Sequence, residues 1–249
     1  MIDAAREGNA TLAVGFVRRF RWAYRFAKQI IESKILGSLR SVDVSEGGIF
    51  DWPVASPFFL DRQAAGGGVL ADAGVHAIDA LQWWLGDLEV TRYCDDDMGG
   101  VEADCVLDFK CGEGVTGHIE LSRTRAMRNT TILRGSNGSL EIQAFTNEIS
   151  LRLNDCAAES LVHCDSETSA HRMLSLRGGV SLEGPSSEAI FADQLRDFLE
   201  AVQMKRSPMV DGLQGRRSVE FVERCYASRK PLEHPWVFEG TSMSAGGTR

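Results

Sequence analysis

The stretch Gly66-Gly67-Gly68-Val69-Leu70-Ala71-Asp72-Ala73-Gly74-Val75-His76-Ala77-Ile78-Asp79-Ala80-Leu81-Gln82-Trp83-Trp84-Leu85-Gly86-Asp87 decides how the chain is read. Three glycines open it, an apolar segment follows, and Gly86 closes it as a helix C-cap. At roughly 100° per residue, Asp72, His76 and Asp79 fall on one narrow stripe, and Val75, Ile78, Leu81 and Leu85 fall on the other side. A polar stripe on an apolar helix faces water or faces a site. Glycines at its start let another backbone or a ligand come close. Spacing alone leaves two readings open. Asp72 and His76 are a surface i, i+4 pair, or Asp72 orients a histidine that exchanges protons with a carbinol or carbonyl. Imidazole suits that work because its ordinary pKa lies near 6.5.

Outward from this helix the chain divides by texture. Upstream, Met1 to Glu7 reads as the end of a helix, and Thr11 to Val17 as a short apolar strand of the buried parallel kind. Phe20 to Ser33 carries Trp22, Phe26, Ile30 and Ile31 at helical spacing. Leu39 to Glu46 is a strand, and Gly47 to Ala65 a loop with Phe50, Trp52, Phe58 and Phe59. Downstream, seven short segments are strand candidates: 90–94, 103–110, 115–122, 130–134, 139–143, 149–153 and 161–164. Several alternate polar and apolar residues, as a sheet with one covered and one freer face requires. Turns fall at Lys110–Gly114 and Gly135–Gly138. Helices over 188–203, with Phe191, Leu195, Phe198, Leu199 and Val202 on one side, and over 213–228 finish the fold.

The glycine-rich start resembles no dinucleotide cradle in its context. Gly66-x-Gly68-x-x-Ala71 fits the letters of that fingerprint, but no buried strand precedes it and no βαβ unit contains it. The pattern Gly-Gly-Gly-x-Leu-x-Asp-x-Gly-x-His-x-Ile-Asp resembles instead the signature of the glucose–fructose oxidoreductase / inositol dehydrogenase (Gfo/Idh/MocA) family. Leu12-x-Val14-Gly15-Phe16 through Phe20, the hairpin at Gly135–Gly138 and the entry Pro208–Gly212 are similar to further family segments. The resemblance implies an α+β fold with an open, mostly antiparallel sheet and helices on one face. It implies a remnant of a Rossmann domain at 1–20, a substrate and oligomerisation domain at 21–238, and a flexible tail at 239–249.

The activity it implies is NAD(P)-dependent oxidation or reduction of a sugar, polyol or related hydroxylated molecule. His76 and Asp72 are its proton-transfer residues, and Arg19, Trp52 and Asp79 line the substrate pocket. NAD or NADP belongs to the complete relative, and this chain alone is expected to bind neither. The family's Glu-Lys-Pro segment has no counterpart in the sequence. The alternative is a non-catalytic ligand-binding or oligomerisation module lacking its own cofactor domain. By the same analogy the open sheet face pairs with a second copy.

Composition narrows the classes. The 249 residues are 43% hydrophobic, enough for a sizeable core, with net charge −8 and pI near 5.2. That acidity argues against a nucleic-acid surface; the densest basic run is only Arg18-Arg19-Phe20-Arg21. No apolar run reaches the ~20 residues that span a bilayer, and no secretory leader is legible. Six cysteines without Cys-x-x-Cys spacing fit reduced thiols in a cytoplasmic protein. His118, His163 and His171 offer no metal-site spacing to add to the Asp72–His76–Asp79 stripe.

Overall fold

Alternation along the strands sets up the architecture. In Asp104–Cys111 and Val115–Ser122 the apolar residues Cys105, Leu107, Phe109, Ile119 and Leu121 turn to one side and are buried, while Asp108, His118 and Glu120 turn to the other. A period of two does this in any strand. The computed structural model describes residues 1–51, 53, 56–97, 99–112, 114–146, 148–154, 161–162, 174–175, 180–183 and 189–233. Trp52, His163 and His171 lie outside the described residues, as do the C-terminal tail and most of the stretch between 155 and 188.

The strands are β1 (Leu39–Gly47), β2 (Leu88–Asp95), β3 (Asp104–Cys111), β4 (Val115–Ser122), β5 (Thr130–Gly135), β6 (Gly138–Gln143), β7 (Glu148–Leu153), β8 (Leu161–Val162), β9 (Leu174–Ser175), β10 (Val180–Glu183) and β11 (Lys230–Pro231). Nine of them form one sheet in the order β10-β7-β6-β5-β1-β4-β3-β2-β11; β8 and β9 pair separately. Only β1–β4 and β11–β2 are parallel, with Val44 opposite Ile119 in the first. The sheet is open and mostly antiparallel, as expected.

The helices are α1 (Ile2–Glu7), α2 (Trp22–Glu32), α3 (Arg62–Ala65), α4 (Val75–Leu85), α5 (Ala189–Met204) and α6 (Gly212–Ala227). One core joins α2, α4 and α6 to the inner sheet face, through Tyr24, Phe26, Ile30, Ile78, Leu81, Leu107, Phe109, Ile119 and Phe221. Asp211 caps α6 in a capping box with Gln214, which satisfies orphan amides at the helix start. The outer sheet face keeps charged residues, among them the Asp43–Arg134 and Asp108–His118 pairs.

Two expectations are corrected. Thr11–Val17 is not a strand: Ala13 forms a single antiparallel bridge to Asp211, and Val14 N–H donates to the Val210 carbonyl. Among the described residues no strand lies alongside it to form a parallel ladder. The segment docks instead on α6, where Leu12 and Val14 fill the space over Gly212 and Gly215.

The helix after the three glycines is not α-helical throughout. Leu70–Gly74 is π-helical and only then does α4 begin. Wider i→i+5 bonding breaks the even 100° spacing through residue 74, so Asp72, His76 and Asp79 do not share one environment.

The apolar side of α5 is largely uncovered among the described residues. Phe191, Leu195, Leu199 and Val202 are exposed, and Ile190 and Ala201 are the helix's buried residues.

Candidate active site

The site is assembled by a 3₁₀ turn, Val17–Phe20, that sends two consecutive arginines to different carboxylates. Arg18 reaches Glu46 at the end of β1, Nη1 to Oε1 at 2.6 Å and Nη2 to Oε2 at 2.5 Å. Its Nη1 also donates to the Tyr24 hydroxyl at 3.3 Å. Arg19 reaches Asp79 on α4, Nε to Oδ2 at 2.9 Å and Nη2 to Oδ1 at 2.5 Å, and adds Gln214 at 3.1 Å. Both forks match the planar, bidentate geometry that guanidinium offers a carboxylate. Two members of the sequence's densest basic run are therefore buried and neutralised, which is why that run makes no basic surface.

Burial works against the Arg18 charge, and Glu46 and Tyr24 more than offset it, holding the guanidinium firmly charged. Burial likewise pushes the Tyr24 hydroxyl above its ordinary range, although Arg18 pulls the other way. Arg18 and Glu46 thus form a fixed, neutral pair beside His76.

His76 stands on the first turn of α4, half-buried, with the Phe16 ring edge-on at 5.6 Å. Its buried Nδ1 meets no hydrogen-bond partner among the described residues. Burial lowers its pKa below 6.5; Arg18 lowers it further, and Asp72 and Glu46 oppose. The ring is therefore held neutral at physiological pH, with two carboxylates near enough to steady the cation when it forms.

Asp72 is half-exposed and forms an ion pair with Arg123, which follows β4. Arg123 lies over the Phe50 ring at 5.4 Å, and the Phe50 N–H donates to its carbonyl at 2.8 Å. Asp72 therefore does not hold the imidazole directly; it acts on His76 through its charge.

The predicted residues separate accordingly. Asp72 and His76 come together at one edge of the site. Arg19 and Asp79 come together too, but as partners of each other: their side chains are 4% and 0% exposed, and each occupies the other's polar atoms. Sequence reasoning missed Arg18, Tyr24, Glu46 and Arg123. Among the described residues, no group of three His, Cys, Asp or Glu side chains is placed to hold a metal ion. No helix among them is long and apolar enough to cross a membrane.

Residues 24–141 match the model of the GFO/IDH/MocA C-terminal domain. The match spans just under half of the chain. The π-turn, α4, Glu46 and Arg123 all lie inside the matched span, whereas Arg18 and Arg19 precede it.

Solved structures agree on the fold. An aldose-aldose oxidoreductase from Caulobacter crescentus, complexed with glycerol, superposes with a TM-score of 0.71 at 21% identity. The match covers 91% of this chain and 64% of that one. The 3-ketoreductase KijD10 from Actinomadura kijaniata, with NADP and TDP-benzene, gives 0.72 at 20% identity over 94% of this chain and 67% of its own. A levoglucosan dehydrogenase complexed with NADH gives 0.68 at 17% identity, over 88% and 64%. The chain thus spans just under two thirds of the aldose-aldose oxidoreductase and of the levoglucosan dehydrogenase.

Proposed function

We propose that this chain is the substrate side of an NAD(P)-dependent oxidoreductase acting on a sugar, a polyol or a related hydroxylated molecule. His76 moves the hydroxyl proton. Asp72, paired with Arg123, and Glu46, paired with Arg18, balance the imidazolium that results. The observation that supports this is the setting of His76: a ring held neutral between two ion pairs, with an unsatisfied buried nitrogen. A general base needs its pKa near or below the working pH and a carboxylate near enough to steady its protonated form. The substrate class is taken from the solved relatives, whose complexes hold glycerol and levoglucosan.

The described residues do not fit a dinucleotide at the glycine-rich start. The space over Gly67 and Gly68 is filled by Tyr226 and Glu102, and the Val69 and Leu70 amides already donate to Glu102. A pyrophosphate needs such amides free. In this reading the cofactor is therefore held by a nucleotide-binding domain outside residues 21–238. The same observation favours, as the second reading, a ligand-binding or oligomerisation module without cofactor chemistry.

Calorimetry with NAD(H) and NADP(H), together with NMR of the His76 ring during titration with glycerol and aldoses, tests both. The expected result is no micromolar nucleotide binding and His76 signals that move with polyhydroxylated ligands. Micromolar nucleotide affinity overturns the division of labour; a His76 ring blind to every sugar and polyol leaves only the module. Self-association through the outer sheet face belongs to the same reading. Light scattering that gives a monomer at every concentration removes it.

A further inference from the structure

We infer that Glu102 is a positioning residue for the Asp72–Arg123 pair, acting through the start of the helical segment that carries Asp72 and His76. The inference rests on the proton-transfer reading above. A helix start exposes amides that a Ser, Asp or Asn side chain normally caps locally. Here the residues before the π-turn are glycines and Val69, and no local side chain caps it. The cap arrives from elsewhere. The Glu102 carbonyl accepts from Val69 N–H at 2.9 Å, and its Oε1 accepts from Leu70 N–H at 3.1 Å.

The glycine motif is what admits this cap. A Cβ on Gly68 would sit 1.9 Å from the Glu102 carbonyl oxygen, and one on Gly67 would sit 2.0 Å from the Tyr226 hydroxyl oxygen. The Tyr226 hydroxyl donates to the same Oε1 at 2.7 Å, and Arg229 Nη2 lies 3.8 Å from Oε2. Glu102 is 1% exposed, and both hydrogen bonds to its carboxylate fall on Oε1.

The next residue completes the argument. The Ala103 carbonyl accepts from Arg123 N–H at 2.9 Å. Glu102 and Ala103 therefore fix, in adjacent residues, the segment that carries Asp72 and the backbone that carries Arg123. A displacement of this corner moves both halves of the ion pair whose carboxylate acts on His76. Glu102 itself is not among the charges acting on His76; those are Arg18, Asp72 and Glu46, with the Phe16 ring packed beside them.

The test follows the His76 ring by NMR against pH in the chain as it stands. Asp72→Asn lowers the His76 titration midpoint, because Asp72 raises it. Glu102→Ala lowers it in the same sense, and the double variant lies no lower than Asp72→Asn alone, the non-additivity expected of coupled sites. Glu102→Gln, which keeps an oxygen acceptor, retains most of the parent behaviour, and Tyr226→Phe gives a smaller drop. If Glu102→Ala and Tyr226→Phe lower the melting temperature but leave the midpoint in place while Asp72→Asn moves it, Glu102 is structural and the inference fails alone. If Glu102→Ala does not fold, Tyr226→Phe decides by the same criterion. If Asp72→Asn leaves the midpoint in place, the proton-transfer reading fails and the inference with it.

Discussion

Two aspartates seven residues apart meet opposite fates. Asp79 is sealed under the sheet-side core, bound by both arms of Arg19, with side chains 0% and 4% exposed. Asp72 also meets an arginine, but its side chain is 44% exposed and Arg123 is 16% exposed. One pair ties the N-terminal turn to α4; the other stands at the rim beside His76. The two differ in burial and not in pairing, which divides a scaffold pair from one at the rim of the candidate site. Burying two charges costs solvation that only complete pairing repays, whereas a rim pair is free to change its partner when a ligand arrives.

The largest effect expected from this contrast is at Asp79. Asp79→Ala strands the Arg19 guanidinium in the core, a change that costs about 3–5 kcal/mol when one partner of a buried pair is removed. For a domain of this size that corresponds to a fall of roughly 6–20 °C in melting temperature, measured by calorimetry or circular dichroism. The double change Arg19→Met with Asp79→Leu is expected to recover most of the loss, since apolar groups of similar volume often replace such pairs without penalty. An Asp79→Ala protein as stable as the parent breaks the comparison, because the pair is then no more structural than the one at the rim.

Asp72→Ala is the smaller counterpart. An exposed pair of this kind contributes about 0.2–1 kcal/mol, so the melting temperature stays within a few degrees. If His76 moves the hydroxyl proton as proposed, His76→Ala in a fusion that supplies a nucleotide-binding domain is expected to lower kcat by about 10²–10⁴-fold, again with little change in melting. A strongly destabilised but fully active His76→Ala protein would make the histidine structural.

How much of this was legible in the sequence follows from the range of each signal. Period-two alternation is local, so β4 was found at Val115–Ser122 as it stands, and most other strand ends fell within two residues. The i, i+4 spacing of Asp72 and His76 is also local, but the structure joins Asp72 to Arg123 and not to the imidazole. Partnerships across the chain were not legible. Arg18 and Glu46 are 28 residues apart, Asp72 and Arg123 are 51, and Arg19 and Asp79 are 60. Nothing in a helical or strand period encodes such distances. Asp79 looked like a pocket residue because it shares a stripe with Asp72, and the π-turn that uncouples them has no sequence signature. On α5 the apolar stripe was read correctly as a stripe, but periodicity does not say what covers it, and among the described residues nothing covers Phe191 or Leu195. The glycines also had two readings, and it is Glu102 and Tyr226, not a ligand, that use the space above Gly67 and Gly68.

The smallest effect expected is a pH dependence confined to His76. Burial, and then Arg18, hold its folded pKa below the ordinary 6.5, against Asp72 and Glu46. Below pH 6.5 the unfolded chain takes up a proton on this ring that the folded chain resists. The unfolded state then binds more protons, so folding stability falls as pH drops from about 7 through 6.5 and levels off once the pH is below the folded pKa. Above that window the group contributes no pH dependence. His76→Gln removes the ionisation, so its stability is expected to lie flatter than the parent's between about pH 7 and 5, in urea melts taken at matched ionic strength. Asp72→Asn is expected to steepen the parent's slope instead, because it removes one of the two carboxylates that favour the imidazolium. A His76→Gln profile parallel to the parent's across that range would show that the ring titrates as it does in the unfolded chain. His76 would then be at the rim with Asp72 rather than between the rim and the core.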